Sequence, residues 1–185
     1  MRHHATNLTT ANAVVLVVDI QEKLLAAIHD GPSVAREAAR VVRAARILDV
    51  PVLVTQQYTK GMGPTAGEVA EALGAFEAVE KLDFSAARAS GLLDSLRATG
   101  RSHAVLVGIE AHVCMLQTAL DLEAEGFFVH VVADATGSRK PADAAAALAR
   151  MSASGVTVTT AEGAIFEMLG TAAHPRFKEI HRLVK

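Results

Sequence analysis

Residues 103–126 read HAVLVGIEAHVCMLQTALDLEAEG. Ala104 to Val107 is an apolar run, the mark of a buried strand. Met115, Leu116, Ala119, Leu120 and Leu122 recur at helical spacing, the mark of an amphipathic helix. Between them lies a turn, Gly108 to Val113, and directly after it Cys114, the only cysteine of the chain. A strand running into a helix is the repeating unit of a parallel α/β sheet. Such sheets place ligands just beyond the carboxyl ends of their strands. A cysteine there, in the first turn of a helix, meets unbonded N–H groups and the positive end of the helix dipole. Cys114 is therefore the candidate nucleophile, with a thiol expected to ionise more readily than usual.

Working outward, the same alternation continues on both sides. Ala13 to Val18 (AVVLVV) is an apolar, β-branched run of the kind buried on both faces of a parallel sheet, and it ends at Asp19. Val34 to Leu48 has helical spacing, and Pro51 to Thr55 reads as a second strand. Gln56 to Gly67 (QQYTKGMGPTAG) reads as a long polar, glycine-rich loop, which in a compact domain points to a site. A short helix over Glu68 to Leu73 and a weak strand over Ala78 to Lys81 follow. Ser90 to Thr99 is a helix stopped by Gly100. Phe127 to Ala133 is a further strand, and Asp134 to Arg139 a loop. Pro141 to Ser154 is a helix with its proline in the first turn. Val156 to Thr159 is a last strand, with helices over Ala161 to Leu169 and Pro175 to Val184. The spacings suit right-handed βαβ units. They predict a three-layer α-β-α fold, a Rossmann-like doubly wound parallel sheet of five or six strands. No repeat, low-complexity tract or linker divides residues 1–185, so a single domain is expected.

Composition narrows the function. The net charge is −2 and the basic residues form no long run, so neither nucleic acid nor an anionic membrane is implied. No apolar segment reaches the roughly 18 residues of a membrane span. The start, MRHHATNLTTANA, lacks the apolar core of a signal peptide. One cysteine forms no internal disulfide, so a reducing, cytoplasmic setting is expected. No Gly-x-Gly-x-x-Gly follows the first strand, so no dinucleotide is implied.

Three strand ends carry ionisable residues: Asp19, Lys81 and Cys114. On one sheet edge they can share a crevice. There an ammonium lowers a neighbouring thiol's pKa. A carboxylate takes the thiol proton and returns it to a leaving group. Backbone N–H groups of the turn before Cys114, and its own, can hold an oxyanion.

These stretches resemble the isochorismatase-like cysteine hydrolases. The resemblance covers nearly the whole chain. It rests on VVDIQ (Val17 to Gln21), TQQYTKGMGPT (Thr55 to Thr65), EKLDFSA (Glu80 to Ala86), GIEAHVCMLQTALDL (Gly108 to Leu122) and VVADATGSR (Val131 to Arg139). It implies a catalytic triad of Asp19, Lys81 and Cys114; for Lys81 the assignment rests on EKLDFSA. It also implies a non-proline cis peptide between Ile109 and Glu110, which aims the Glu110 N–H, with that of Cys114, into an oxyanion hole. The nicotinamidase branch binds a metal through Asp-x-His after the second strand. Here Gln56-Gln57-Tyr58 stands in that region, and Thr55 to Gly67 contains no carboxylate and no histidine. No metal and no cofactor are therefore expected. The chain looks more like the branch of isochorismatase-domain-containing proteins, and the resemblance to the family, whose members commonly form dimers or larger assemblies, implies a homo-oligomer.

The expected function is hydrolysis of a small amide, imide or related carbonyl compound through a thioester-type intermediate. The alternatives are a thiol redox sensor or scavenger using Cys114, a nicotinamidase-type amidase, and a binding protein that has lost the chemistry. Gln21, Gln56 and Tyr58 are candidate substrate contacts. His112 is read as a solvent-facing helix-start residue. Ser138 and Arg139 could bind an anionic substrate group but are read as ordering their loop with Asp134, and His103 and His130 as structural.

Overall fold

The computed structural model describes residues 7–185; the first six residues of the N-terminal stretch read above lie outside it. Strand β1 (Ala13–Val18) is followed by a short helix α1 (Glu22–Leu25) and the long α2 (Gly31–Ile47). Next come β2 (Val52–Gln57), the helical turn α3 (Thr59–Met62), α4 (Gly67–Leu73) and β3 (Ala78–Lys81). Helix α5 (Leu92–Ala98) leads to β4 (His103–Ile109), α6 (Leu116–Ala124), β5 (Phe128–Gly137) and α7 (Pro141–Ala153). The chain closes with β6 (Thr157–Thr159), α8 (Ala161–Leu169) and α9 (Phe177–Val184). All six strands are parallel, in the order β3-β2-β1-β4-β5-β6.

Burial explains the strands. All six β1 residues and all seven β4 residues are buried, because helices cover both faces of the sheet. Each Val, Leu or Ile so removed from water contributes roughly 1.5–3 kcal/mol. One face of α2, carrying Ala35, Ala38, Val41, Val42 and Ala45, packs on the side chains of Val15, Val17 and Val105. Its alanines keep that helix close to the sheet. On the other face Val14, Leu16, Ala104 and Leu106 meet Leu92, Leu96, Ala119 and Leu122.

Two loops read from the sequence turn out partly regular. The stretch after Thr55 stays extended through Gln57 and then coils over Thr59–Met62. Strand β5 runs on through Gly137, because the register slips between Leu106 and Gly108 and lets Thr136 pair with Gly108. Polar residues in 134–137 masked that pairing.

The strand order reverses direction between β1 and β4. This is the switch point at which open α/β sheets form a crevice. Asp19 leaves β1 there and Cys114 follows β4. Gly108 permits the close approach: a Cβ on it would overlap the Val18 carbonyl oxygen and stand 2.9 Å from Met115 Sδ.

Candidate active site

Asp19 is the first residue past β1, held in a left-handed conformation (φ 53°) that short Asp side chains tolerate. It is fully buried. Its Oδ1 accepts a hydrogen bond from Thr55 Oγ1 at 2.8 Å. Its Oδ2 lies 2.6 Å from Lys81 Nζ. Lys81 ends β3, two strands away from β1, and its side chain spans that distance inside the protein, with no exposed surface. The ammonium also donates to Gln57 Oε1 at 2.6 Å and to the carbonyls of Asp83 and Phe84, both at 3.1 Å. Cys114 Sγ stands 3.7 Å from the same Nζ. Five acceptors thus surround three N–H bonds. The geometry brings Asp19, Lys81 and Cys114 into one cluster, as their strand ends suggested.

Two details of Cys114 differ from the reading of the sequence. It does not open a regular α-helix. It is the fourth residue of a wide, π-type turn, Ala111–Met115, that precedes α6, and Met115 N–H donates to the Glu110 carbonyl. The thiol is also not acidified. Burial, first, and then the negative charge of Asp19 push its pKa up to about 12, against the opposite pull of Lys81. The resting sulfur is therefore protonated. Sequence alone gave the dipole and the expected cation but not the depth of burial.

The Ile109–Glu110 peptide is cis. The Glu110 carboxylate accepts from the Arg139 N–H at 3.1 Å and from its Nε at 3.0 Å. His112 Nδ1 pairs with Ser138 Oγ at 2.9 Å, so it is tied inward rather than left to solvent. Ser138 and Arg139 do order their loop, but through the turn before Cys114. Asp134 instead accepts from the Ala161 N–H at the start of α8.

Gln21 is fully buried and its amide is fully occupied. It donates to the carbonyls of Gln57 and Gly63 and accepts from the Gln57 N–H at 2.7 Å. Gln56 donates to Thr65 Oγ1 and accepts from Thr59 Oγ1. Both hold the loop that carries Tyr58. Tyr58 itself lines a cleft of about 410 Å³ that opens onto Cys114. Its backbone is left-handed (φ 37°), unusual for a bulky residue. Gln57, not singled out from the sequence, lies in the same wall and binds Lys81. Its signal was pairing: Gln57 and Lys81 are opposite one another in the β2–β3 register.

Several known proteins share this arrangement of chain. The isochorismatase domain family matches residues 13–163. Isochorismatase domain-containing protein 2 of Macaca fascicularis is 44% identical over 176 residues, 94% of this chain and 83% of that one. The MAR1 ribonuclease structure from Caenorhabditis elegans superposes with a TM-score of 0.91 at 38% identity, covering 96% of this chain and 92% of that one. YcaC from Pseudomonas aeruginosa, solved with hexane-2,5-diol and covalent acrylamide, superposes with a TM-score of 0.89 at 25% identity, covering 97% and 92%.

Proposed function

Because this chain belongs to the isochorismatase family and has its hydrolase fold, we propose that it is a cysteine-dependent hydrolase of a small amide, imide or related carbonyl compound. It acts from one domain, without metal or cofactor. The observation that carries the reading is the buried contact of Lys81 Nζ with both Asp19 Oδ2 and Cys114 Sγ, behind a cleft that Cys114 itself lines.

In the first step Asp19 takes the thiol proton as Cys114 Sγ attacks the carbonyl carbon. A protonated resting thiol fits this order, since the base acts at the moment of attack rather than before it. The oxyanion is received by the N–H groups of Glu110 and Cys114. Collapse of the adduct breaks the C–N bond, and Asp19 returns the proton to the leaving nitrogen. The thioester remains. Asp19 then takes a proton from water, the hydroxide oxygen attacks, and the acid leaves as the thiol is restored. Lys81 holds the carboxylate in place throughout. Tyr58 contacts substrate, while Gln21 and Gln56 hold the loop that presents it.

The covalent acrylamide of the Pseudomonas relative favours a reactive centre in this fold. The homo-oligomer and the cytoplasmic setting belong to the same proposal. No helix among the described residues is long and apolar enough to cross a membrane. The test is Cys114→Ala. Turnover of the true substrate disappears while the circular dichroism spectrum and melting temperature stay close to those of the parent. Native-rate turnover by that variant refutes the mechanism.

A further inference from the structure

The cleft's walls speak to what it takes. Leu24, Tyr58, Met62, Leu82, Phe84 and Val113 form most of its surface. Its volume, about 410 Å³, lies toward the small end of the range of small-molecule sites, about 300–1,000 Å³. Three of the largest exposed apolar side chains among the described residues, Tyr58 (47%), Leu82 (74%) and Phe84 (55%), gather at this one opening. Apolar surface concentrated in one place marks a binding site rather than random exposure.

The polar side chains of the cleft are already engaged. Gln57 gives its Oε1 to Lys81 and its Nε2 to the Leu82 carbonyl at 2.9 Å. The Glu110 carboxylate holds Arg139. No lysine, arginine or histidine is among the described residues that line it. Lys81 lies behind the wall, ringed by acceptors. An anion entering here gives up its water, meets no unengaged cation and approaches the carboxylates of Glu110 and Asp19. Burying an unpaired charge in this way is strongly unfavourable.

We infer that the cleft takes an uncharged carbonyl compound bearing an apolar group of about aryl size, and rejects carboxylates and phosphodiesters. The carbonyl half rests on the proposed hydrolase function; the exclusion of anions rests on the cleft alone.

Two measurements separate the halves. In the first, Cys114 Sγ displaces chloride from N-benzylchloroacetamide, chloroacetamide or chloroacetate, and each rate is divided by the rate with glutathione. The benzyl amide is expected to exceed chloroacetamide about tenfold, and chloroacetate to trail it about tenfold. Chloroacetamide reacting as fast as the benzyl amide overturns the apolar group, and chloroacetate reacting as fast as chloroacetamide overturns the exclusion of anions, whatever the enzyme hydrolyses. In the second, p-nitrophenyl butyrate is compared with mono-p-nitrophenyl succinate. The butyrate is expected to lead in kcat/KM by about tenfold, and Leu82→Arg to narrow that lead by placing a cation at the rim. Equal kcat/KM for the two esters also counts against the exclusion of anions. A labelled oligoribonucleotide is expected to stay intact; cleavage that vanishes in Cys114→Ala overturns the rejection of phosphodiesters. Absence of Cys114-dependent hydrolysis of both esters overturns the carbonyl half and the hydrolase reading together, while the alkylation order still decides the rest.

Discussion

Two polar clusters are buried at opposite ends of the sheet. At the carboxyl ends of the strands Lys81 touches both Asp19 and Cys114. At the amino ends His103 stacks on Phe128, with ring centroids 4.8 Å apart, and on His130, at 5.6 Å. His130 is fully buried, and neither of its ring nitrogens has a hydrogen-bond partner. Burial acts on both ends alike. It pulls His130 down to about 4, helped by the charge of His103, and it pushes Cys114 up to about 12. One is a base and the other an acid, so the opposite directions have the same meaning: each group is held neutral. Asp19 Oδ2 and Lys81 Nζ lie in equally dry surroundings 2.6 Å apart, each the other's partner. Desolvation is general in this protein, and pairing is local. The site is where pairing was built in.

The sharpest way to break the contrast is to remove one partner. Asp19→Asn is expected to lower turnover by about a thousandfold through loss of the base. The same change removes the charge that most opposes Lys81 at the sulfur, so the Cys114 pKa falls. Alkylation of Cys114 by iodoacetamide at pH 7–8 is therefore expected to become faster as turnover is lost. Slower alkylation in that variant means Asp19 does not face the thiol as described.

Lys81→Met leaves the Asp19 carboxylate buried and unpaired. The expected cost is about 3–5 kcal/mol in urea unfolding. Adding Asp19→Asn to it should restore much of that, since no lone charge then stays behind. A double variant as unstable as the single one would place the loss in packing instead.

At the other end, His130 binds a proton more readily unfolded than folded. Stability is expected to be complete above pH 6.5, to decline as the pH falls from 6.5 toward 4, and to lose at most about 3 kcal/mol from this group. His130→Leu should flatten that part of the profile, and a measurement of melting temperature against pH checks it. Smaller still is Gly61→Ala. Its new Cβ would lie 2.5 Å from the Tyr58 ring. The ring must shift, so KM is expected to rise a few-fold while stability changes by less than about 1 kcal/mol.

Much of the strand set was readable because strands buried on both faces must be apolar throughout, and AVVLVV and AVLV are. Asp19 stood out by ending such a run, and Cys114 by following the turn after one. Lys81 was different. The run before it is short and mixed, and it spans only Ala78–Lys81 at the sheet edge. Resemblance pointed to that lysine, not periodicity. Gln57 went unnoticed because β2 was ended two residues early, at Thr55. The polar Gln56-Gln57 pair looked like loop, although the edge strand beside it supplies the pairing that keeps it extended.

By itself the chain determined its alternation of strand and helix, the parallel sheet, and which strand ends carry ionisable groups. Those follow from local periodicity, and periodicity is written along the backbone. Only the tertiary structure decided that the sulfur rests protonated, that Gln21 braces a loop, and that Leu24, Leu82, Phe84 and Val113 become one wall. The reason is physical. Desolvation, pairing and cavity shape depend on neighbours distant in sequence, and no spacing encodes how deeply a side chain will be covered.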